Sequence, residues 1–331
     1  MRGLTKLAPG AGHVALAERP ESAPGRGHVV LEVVGAGICG TDLHIADGEY
    51  QTVTPVTMGH EVSGVVAEVG EGVDDDWLGA RVASETYFST CGRCALCRAG
   101  RINLCAERQS IGTHVDGAFA PRLTVPSSNL HRLPDWLDGR TAALLEPLAC
   151  VCHSVLEPQP AVRAGDDALV IGPGAVGLLA AQVARAAGGD VHVRGTPRDD
   201  RRLAAARGLG FETSTTEDEP VDADVVIECS GSEAGIAYGL TAARRGARHV
   251  QMGLAGKPVA LPFDLVCLHE LRITSGFAST PTSWAKALEL VGERRVDLAP
   301  LVTEVVPLAE WERAFAATRA AEGIKFVLDP H

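Results

Sequence analysis

Positive charge is scarce in this 331-residue chain. Lys and Arg together number 30 against 42 Asp and Glu, which gives a formal net charge of −12. Because proteins that bind nucleic-acid phosphates draw on clustered Lys and Arg, this balance argues against a DNA- or RNA-binding surface. We therefore expect no nucleic-acid partner.

Long apolar runs are also lacking. No stretch of the sequence approaches the ~20 apolar residues that a membrane-spanning helix needs. The first residues, MRGLTKLAPG, lack the apolar run of a signal peptide. We therefore expect a cytoplasmic protein that makes no membrane contact. Internal repeats and low-complexity segments are absent as well.

The nine cysteines cannot all pair with one another, since their number is odd. Four of them lie in CGRCALCRAGRINLC, separated by two, two and seven residues: Cys91, Cys94, Cys97 and Cys105. Four thiolates at this spacing can surround one tetrahedral Zn²⁺, and a closed shell leaves no position for substrate. We therefore predict a structural zinc site. The alternatives are free thiols, which such dense spacing disfavours, and a nucleic-acid-binding zinc ribbon, which the acidity opposes.

The length of the chain favours two domains. Valine-rich segments broken by glycine predict a β-rich first third, whereas strands and helices alternate from about Ala168, which predicts a parallel sheet covered on both faces. The short acidic connector EDEPV leaves little room for a helix, so one crossover helix should be missing. We place the first domain at residues 1–147 and 280–331, and the second at residues 148–279.

The segment GPGAVG follows a predicted strand and opens a predicted helix. Its glycines, Gly172, Gly174 and Gly177, have the G-x-G-x-x-G spacing of a dinucleotide-binding turn. The first glycine makes the turn, the second lets a pyrophosphate approach, and the third allows close packing of helix on strand. We expect the cofactor pyrophosphate at this helix start, which also includes Ala175 and Val176. The alternative is an ordinary glycine-rich turn.

The end of the next strand, VHVRGTPRDD, bears on the choice of cofactor. NAD sites usually place an acidic residue there, which binds the ribose hydroxyls. This chain instead has Arg194, Gly195 and Thr196, with Arg198 close behind. A missing carboxylate and a nearby guanidinium favour a 2′-phosphate, so we predict NADP over NAD. The acidic residues 199–200 support NAD, but they look like the start of the next helix.

A second group of metal-ligand types is scattered through the first third. GICGTDLH contains Cys39 and His44, and MGHE contains His60 and Glu61. A buried cysteine and a core histidine would be ordinary structural residues. Taken together, however, cysteine, histidine and carboxylate are the ligand types of a catalytic zinc with an open position.

A further carboxylate comes from LLEPLACVCH. Glu146 precedes a proline, which suits the first turn of a helix. Such a carboxylate can simply be favoured by the helix N-terminus. Cys150, Cys152 and His153 are rival ligands in the same segment, and we rank them below Glu146.

These motifs occur in the order CGTDLH, GHE, the four-cysteine run, DGAFA, LEPLA, GPGAVG and VIECSG. In this order they resemble the zinc-dependent medium-chain dehydrogenases of the alcohol dehydrogenase superfamily, over essentially the whole chain. The first 150 residues most resemble the threonine, sorbitol and polyol dehydrogenase branch. The resemblance implies an α/β fold, with a Rossmann-type doubly wound parallel sheet domain and a β-rich GroES-like catalytic domain. It also implies a homodimer or homotetramer.

The resemblance implies two zinc ions per chain. The catalytic zinc would be bound by Cys39, His60 and Glu146, with Glu61 as a neighbouring carboxylate that binds zinc directly or through water. Asp42 would orient the ligating histidine. The four-cysteine run would hold the structural zinc.

The resemblance also implies the parts that carry the reaction. Thr41 would hydrogen-bond the substrate oxygen, and His44 would end a proton relay to solvent. We further expect the cofactor to contact Ser230, Met252 and Leu254. The chain would transfer hydride between a secondary alcohol and NADP or NAD, giving the ketone.

The substrate stays open among a polyol, a cyclitol or sugar alcohol, and an amino alcohol. Threonine dehydrogenases have ETH before the cysteine run, where this chain has Glu85, Thr86 and Tyr87, which argues against threonine. One alternative is a catalytically silent relative that binds zinc and NADPH. A zinc-free reductase of the quinone type is opposed by the retained ligands Cys39, His60 and Glu146.

Overall fold

In the computed structural model, which describes residues 1–21 and 23–331, the chain divides into two units. The first unit comprises Met1–Glu146 and Val302–His331, and the second comprises Pro147–Leu301. Residues 280–301, which the sequence analysis assigned to the first domain, therefore lie in the second unit. The helix that they contain has a buried apolar face with Trp284, Ala287 and Val291, which packs within that unit.

The secondary structure follows the predicted order of segments. The strands are β1 (Arg2–Lys6), β2 (Val14–Glu18), β3 (His28–Gly37), β4 (Val56–Thr57), β5 (Glu61–Val69), β6 (Arg81–Ser84), β7 (Tyr87–Ser89), β8 (Gln109–Ser110), β9 (Arg122–Pro126), β10 (Leu130–Arg132), β11 (Asp167–Ile171), β12 (Asp190–Arg194), β13 (Glu212–Ser214), β14 (Ala223–Glu228), β15 (Ala243–Gln251), β16 (Arg272–Thr274), β17 (Val302–Pro307) and β18 (Lys325–Asp329). The helices are α1 (Gly40–Ala46), α2 (Ala95–Arg98), α3 (Leu145–Leu156), α4 (Ala175–Ala186), α5 (Asp200–Gly208), α6 (Glu233–Ala242), α7 (Asp264–Leu268), α8 (Pro281–Gly292) and α9 (Trp311–Arg319).

The main sheet of the first unit brings distant parts of the chain to one edge. Its strand order is β10-β6-β5-β3-β18-β17, and β9 also pairs with β3. In the antiparallel β3–β5 ladder Gly37 lies opposite Glu61, so the end of β3 is beside the start of β5. In the β18–β3 ladder Val327 lies opposite Gly37, which brings the start of β18 to the same place.

The core of the first unit lies between this sheet and the elements packed on it. Leu31, Val33, Val62 and Val82 are fully buried, as the valine-rich composition of these strands predicts. Phe315 of α9 joins the same apolar cluster. A smaller sheet, β2-β1-β4, and the β7-β8 pair complete the strands of this unit in the described part of the chain.

The second unit contains the predicted parallel sheet, in the order β13-β12-β11-β14-β15-β16. Chain order reverses between β11 and β14, which is where doubly wound sheets bind their ligands. Residues 215–222, between β13 and β14, form no helix, which confirms the missing crossover. The predicted α/β fold class is confirmed. Among the described residues, no helix is long and apolar enough to cross a membrane.

Candidate active site and cofactor site

Cys39, His60 and Glu61 meet at the edge where β3 ends and β5 begins. One ligand atom of each lies within 4.8 Å of those of the other two. Cys39 immediately precedes α1, and its backbone N–H donates to Asp42 Oδ2 at 2.8 Å, which holds the first turn of the helix. A thiol, an imidazole and a carboxylate at this separation form a ligand set suited to Zn²⁺.

Asp42 lies next to His60 and is fully buried. Its Oδ1 is 3.8 Å from His60 Nδ1 and has no hydrogen-bond partner among the described residues. Burial by itself lowers the pKa of His60, but the charge of Asp42 and contacts with Cys39 raise that pKa well above its ordinary value. Burial has the opposite effect on Asp42, whose pKa it raises, because it disfavours the charged carboxylate. The surroundings therefore favour positive charge at this point, and a divalent cation fits them.

Lys325, at the start of β18, completes the arrangement around Glu61. Its Nζ is 2.7 and 2.8 Å from the two oxygens of the Glu61 carboxylate and donates to the Ile38 carbonyl at 3.0 Å. Burial lowers the pKa of Lys325, but Glu61 and Cys39 raise it above its ordinary value overall. The other side of Glu61 is confined by Gly37, because a Cβ there would come 2.0 Å from Glu61 Oε2.

Sequence reasoning missed Lys325. The available signal was a single lysine in the apolar strand KFVLD, whose first four residues are all buried. A lone charged residue in such a strand needs a buried partner.

Glu146 lies in the first turn of α3 and is buried. Thr86 Oγ1 donates to Glu146 Oε1 at 2.8 Å. The charge of Glu146 contributes to raising the pKa values of both His60 and Lys325, so it acts on the same site. It is nevertheless not part of the group of ligand atoms that lie within 4.8 Å of one another. After Lys325, Thr86 is the second residue beside the candidate ligands to which the sequence analysis assigned no role.

Two of the rival ligands of α3, Cys152 and His153, have other surroundings. Burial raises the pKa of Cys152 to about 12, which opposes the thiolate that a metal needs. His153 Nδ1 lies 2.9 Å from Glu157 Oε2, one helical turn away. These two side chains have structural environments within the second unit.

The two predicted proton-transfer residues both lie on α1. Thr41 Oγ1 is 3.7 Å from Cys39 Sγ, so its hydroxyl is next to the candidate metal ligands. His44 is exposed, and its Nδ1 is 2.7 Å from Glu49 Oε2. The helix therefore runs from the ligand group to the protein surface.

The four-cysteine run brings its sulfur atoms together around α2. The sulfurs of Cys91, Cys94, Cys97 and Cys105 all lie within 4.8 Å of one another, and none of these cysteines is in a disulfide. The backbone N–H groups of Cys94 and Cys97 each donate to the preceding cysteine's sulfur at 3.4 Å. Hydrogen bonds from backbone N–H groups lower the pKa of Cys91 to about 6. A thiolate stabilised in this way at Cys91 is a suitable zinc ligand.

The glycine turn between β11 and α4 has the close contacts that its motif predicts. Gly172 has φ +93°, and a Cβ there would lie 2.8 Å from the Ser230 backbone nitrogen. A Cβ at Gly177 would lie 1.9 Å from the Gly172 carbonyl oxygen. At Gly174 the space is open, and this residue immediately precedes α4 and provides no side-chain cap. The N–H groups of the first helical turn have no partner within the helix, so they can receive an anion.

Arg194, at the end of β12, is buried, and its guanidinium forms hydrogen bonds within the protein. It donates to the carbonyl oxygens of Asp218 and Glu219 at 2.9 and 3.0 Å, and its guanidinium lies 4.6 Å from the centre of the Tyr238 ring. It therefore holds the helix-free connector against the end of β12. The guanidinium that the sequence analysis noted at this position has a structural use.

The residues after β12 form a capped turn. Asp199 Oδ2 accepts from the backbone N–H of Thr196 at 2.9 Å and from its hydroxyl at 2.7 Å. This carboxylate is thus occupied by its own turn. Gly195 is buried, and a Cβ there would lie 3.0 Å from a Pro173 side-chain carbon. Arg198 is exposed at the surface of the turn.

The remaining predicted cofactor residues lie in the loops after β14 and β15. The Ser230 backbone N–H donates to Glu228 Oε1 at 2.8 Å, and the Met252 backbone N–H donates to the Glu228 carbonyl at 2.8 Å. Leu254 is exposed over 81% of its surface. Glu228 is a further residue of this region that sequence reasoning did not single out.

Comparison with known proteins supports one family over both units. The family described as "Alcohol dehydrogenase GroES-like domain" matches residues 25–135, and the family described as "Zinc-binding dehydrogenase" matches residues 175–293. The chain belongs to the zinc-dependent medium-chain dehydrogenases. This dehydrogenase is accordingly a zinc-dependent, NAD(P)-dependent alcohol dehydrogenase of the polyol and threonine dehydrogenase branch.

Curated relatives match over the full length. A sorbitol dehydrogenase of Halalkalibacterium halodurans is 38% identical, covering 100% of this chain and 99% of the relative. An L-threonine 3-dehydrogenase of Bacillus subtilis is 33% identical, covering 97% of this chain and 96% of the relative.

Solved structures show the same fold. A Sinorhizobium meliloti protein described as a zinc-binding dehydrogenase and bound to NADP is 30% identical, with a TM-score of 0.89, and the match covers 99% of both chains. An Escherichia coli protein described as a short chain alcohol dehydrogenase, complexed with NADH, is 26% identical with a TM-score of 0.88 and also covers 99% of both chains.

Proposed function

We propose that this dehydrogenase transfers hydride between a secondary alcohol of the polyol, cyclitol or amino-alcohol type and NADP, giving the ketone. The observation that carries the proposal is the convergence of Cys39, His60 and Glu61 to within 4.8 Å at the end of β3. If these residues had only structural roles, three metal-ligand types would not be expected to lie together beside a buried aspartate.

Cys39, His60 and Glu146 would hold the catalytic zinc, and the four-cysteine run would hold a second, structural zinc. When bound, the catalytic zinc supplies Lewis acidity, which lowers the pKa of an alcohol in its open position. Glu61 would remain beside the metal, because Lys325 and Gly37 confine its carboxylate. Asp42 would orient His60.

The chain's own residues would carry the proton. Thr41 lies beside Cys39, so its hydroxyl would accept the substrate hydroxyl's hydrogen bond and, as it takes that proton, release its own proton toward His44. His44, exposed and next to Glu49, would pass the proton to solvent. The glycine turn and the start of α4 would hold the cofactor pyrophosphate, and the cofactor would carry the hydride.

The preference for NADP rests on the turn after β12. Asp199 Oδ2 already accepts hydrogen bonds from Thr196, so this carboxylate is engaged within its own turn rather than free for the ribose hydroxyls. Arg198 is exposed on the same turn and can reach a 2′-phosphate, whereas Arg194 is buried under its own contacts. Relatives of known structure hold NADP or NADH. Measuring kcat/KM for both cofactors, with R198A as the variant, tests this: R198A should weaken NADP use and spare NAD use.

The substrate proposal favours polyols over threonine. The position at which threonine dehydrogenases carry the histidine of ETH is Tyr87 here, a buried residue at the start of β7. Oxidation across a panel of polyols, cyclitols, secondary alcohols and L-threonine is the direct test. No turnover of any compound, with both zinc ions present, would favour a catalytically silent relative.

Exchange of one catalytic ligand tests the metal assignment. C39S should abolish turnover and reduce bound zinc from two to one per chain, because the four-cysteine run keeps its own ion. Zinc content by mass spectrometry and initial rates are the measurements. Full activity in C39S would refute the assignment.

We also propose a homodimer or homotetramer formed through the second unit. β16 ends the strand order of its sheet, and Phe263, Leu268 and Ile273 are exposed nearby in the sequence. Exposed apolar side chains at a sheet edge suit association with a second copy. Analytical ultracentrifugation measures the oligomeric state.

The free cysteines suit a reducing compartment, so we propose a cytoplasmic location.

A further inference from the structure

Glu228 is a fully buried carboxylate at the carboxyl end of β14. It accepts hydrogen bonds from the Ser230 backbone N–H at 2.8 Å and from the Ser230 hydroxyl. The Gly231 backbone N–H lies 3.2 and 3.1 Å from its two oxygens, and Gln251 Nε2 donates to Oε2 at 2.7 Å. Every one of these neighbours is a donor, so the site is built for the ionised carboxylate, which only accepts.

These contacts join two loops that are distant in sequence. Ser230 and Gly231 follow β14, whereas Gln251 ends β15. Gln251 Nε2 also donates to the Gly253 carbonyl at 2.8 Å, and the Gly253 backbone N–H donates to the Glu228 carbonyl at 2.9 Å. The loops touch so closely that a Cβ at Gly253 would lie 2.1 Å from the Gly231 nitrogen.

The loops joined by Glu228 are those that carry the expected cofactor contacts Ser230, Met252 and Leu254. They leave the sheet beside the glycine turn, since Gly172 packs against Ser230. Charge-assisted bonds of this kind are shorter and stronger than neutral ones, and a buried network that loses one acceptor leaves several donors unsatisfied.

We propose that Glu228 is a positioning residue for the cofactor, which holds the loops after β14 and β15 in the conformation that binds it. This inference rests on the cofactor assignment made under the proposed function. Glu228 acts through Ser230 and Met252 and does not take part in proton or hydride transfer. Its removal should therefore weaken cofactor binding much more than it slows the chemical step.

The test compares E228Q with D224N in the zinc-loaded enzyme. In E228Q an amide nitrogen replaces one acceptor, so it faces the donors Gly231 N–H and Gln251 Nε2. Asp224 is a carboxylate on the same strand that binds Arg244 and the Asp167 N–H at the opposite end of the sheet, so D224N is a matched control. The measurements are the dissociation constants of NADPH and NADH by fluorescence, kcat and KM, and Tm.

We expect E228Q to raise the cofactor dissociation constant and KM at least tenfold, while kcat at saturating cofactor stays within about threefold. D224N should leave the cofactor dissociation constant within twofold of that of the unmutated enzyme, even if its Tm falls as far as that of E228Q. Q251L, which removes one bond to Glu228, should raise the dissociation constant about threefold and serves if E228Q does not fold.

Unchanged cofactor affinity in E228Q, or in Q251L when E228Q is unfolded, would overturn the inference and leave the proposed function intact. An equal loss of affinity in D224N at matched Tm would overturn it too, because the effect would then be one of general stability. Failure of the unmutated enzyme to bind either cofactor would overturn the cofactor assignment and this inference together.

Discussion

Replacing Lys325 with methionine removes the ammonium that faces Glu61 while keeping a side chain of similar length. The side chains of Lys325 and Glu61 are only 6% and 1% exposed, so water cannot replace the lost contact. The change also removes the hydrogen bond to the Ile38 carbonyl. The carboxylate of Glu61 is then left buried without the cation that compensates its charge.

The size of the effect follows from this burial. Removing one partner of a buried ion pair typically costs about 3–5 kcal/mol, since an uncompensated charge remains. At roughly 2–4 °C per kcal/mol for a domain of 150–250 residues, Tm should fall by on the order of 6–20 °C. Removing both charges in E61Q/K325M should restore about 2 kcal/mol or more, because no buried charge is left unpaired.

A double-mutant cycle of K325M, E61Q and E61Q/K325M measures this coupling by denaturant unfolding and Tm. Zinc content is determined for each variant, so that loss of metal is not counted as loss of the pair. R313M is the control, because Arg313 pairs with Glu304 at 2.8 Å with both side chains more than 40% exposed. That variant should lose at most ~1 kcal/mol.

Two results would refute the reasoning. A loss below about 1 kcal/mol in K325M would show that Glu61 does not depend on the ammonium. Additive losses in the double variant would show that the two side chains are not coupled.

Further variants test other parts of the structure. Burial raises the pKa of Glu157, but hydrogen bonds from Thr282, His153 and Thr280 hold it below its ordinary value of 4.5 overall. The ionised Glu157 carboxylate thus stabilises the folded state at pH values above its ordinary pKa. This contribution to stability is lost as the pH falls through the lowered pKa of the folded state. In a Tm–pH profile the fall of Tm at acid pH should be smaller in E157Q than in the wild type, because the other carboxylates remain; identical profiles would contradict it. C97S should lose one zinc per chain and lower Tm while retaining alcohol oxidation at low temperature, whereas complete inactivation at low temperature would give the four-cysteine run more than a structural role. R194M should destabilise the enzyme by about 1–3 kcal/mol, because the carbonyls of residues 218–219 lose a buried donor; hydrogen exchange should rise in residues 215–220, and unchanged exchange would count against the role of Arg194.

Local motifs in this sequence were sufficient for two parts of the structure. The four-cysteine run and the glycine turn each lie within a short segment, so their spacing alone limits the geometry that the backbone can adopt. The missing crossover helix was also predictable, because EDEPV is too short to form one. By contrast, the position of residues 280–301 depended on which unit buries the apolar face of α8, and periodicity cannot identify the partner of an apolar face.

Arg194 shows a second limit of sequence reasoning. Its position at the end of β12 suggested a ligand for phosphate, but burial and two carbonyl acceptors give it a structural use. Whether a guanidinium faces solvent or the protein interior depends on the packing around it, and Tyr238 lies 44 residues further along the chain.

By itself, the sequence determined the candidate ligand types, the four-cysteine run and the glycine turn, because residues close in the chain constrain one another directly. The tertiary structure alone decided how Cys39, His60 and Glu61, expected together from the family resemblance, are brought to one place, and that Lys325 faces Glu61. The physical reason is strand register: antiparallel pairing of β3 with β5 and β18 brings these distant residues to one edge, where burial makes their charges act strongly on one another.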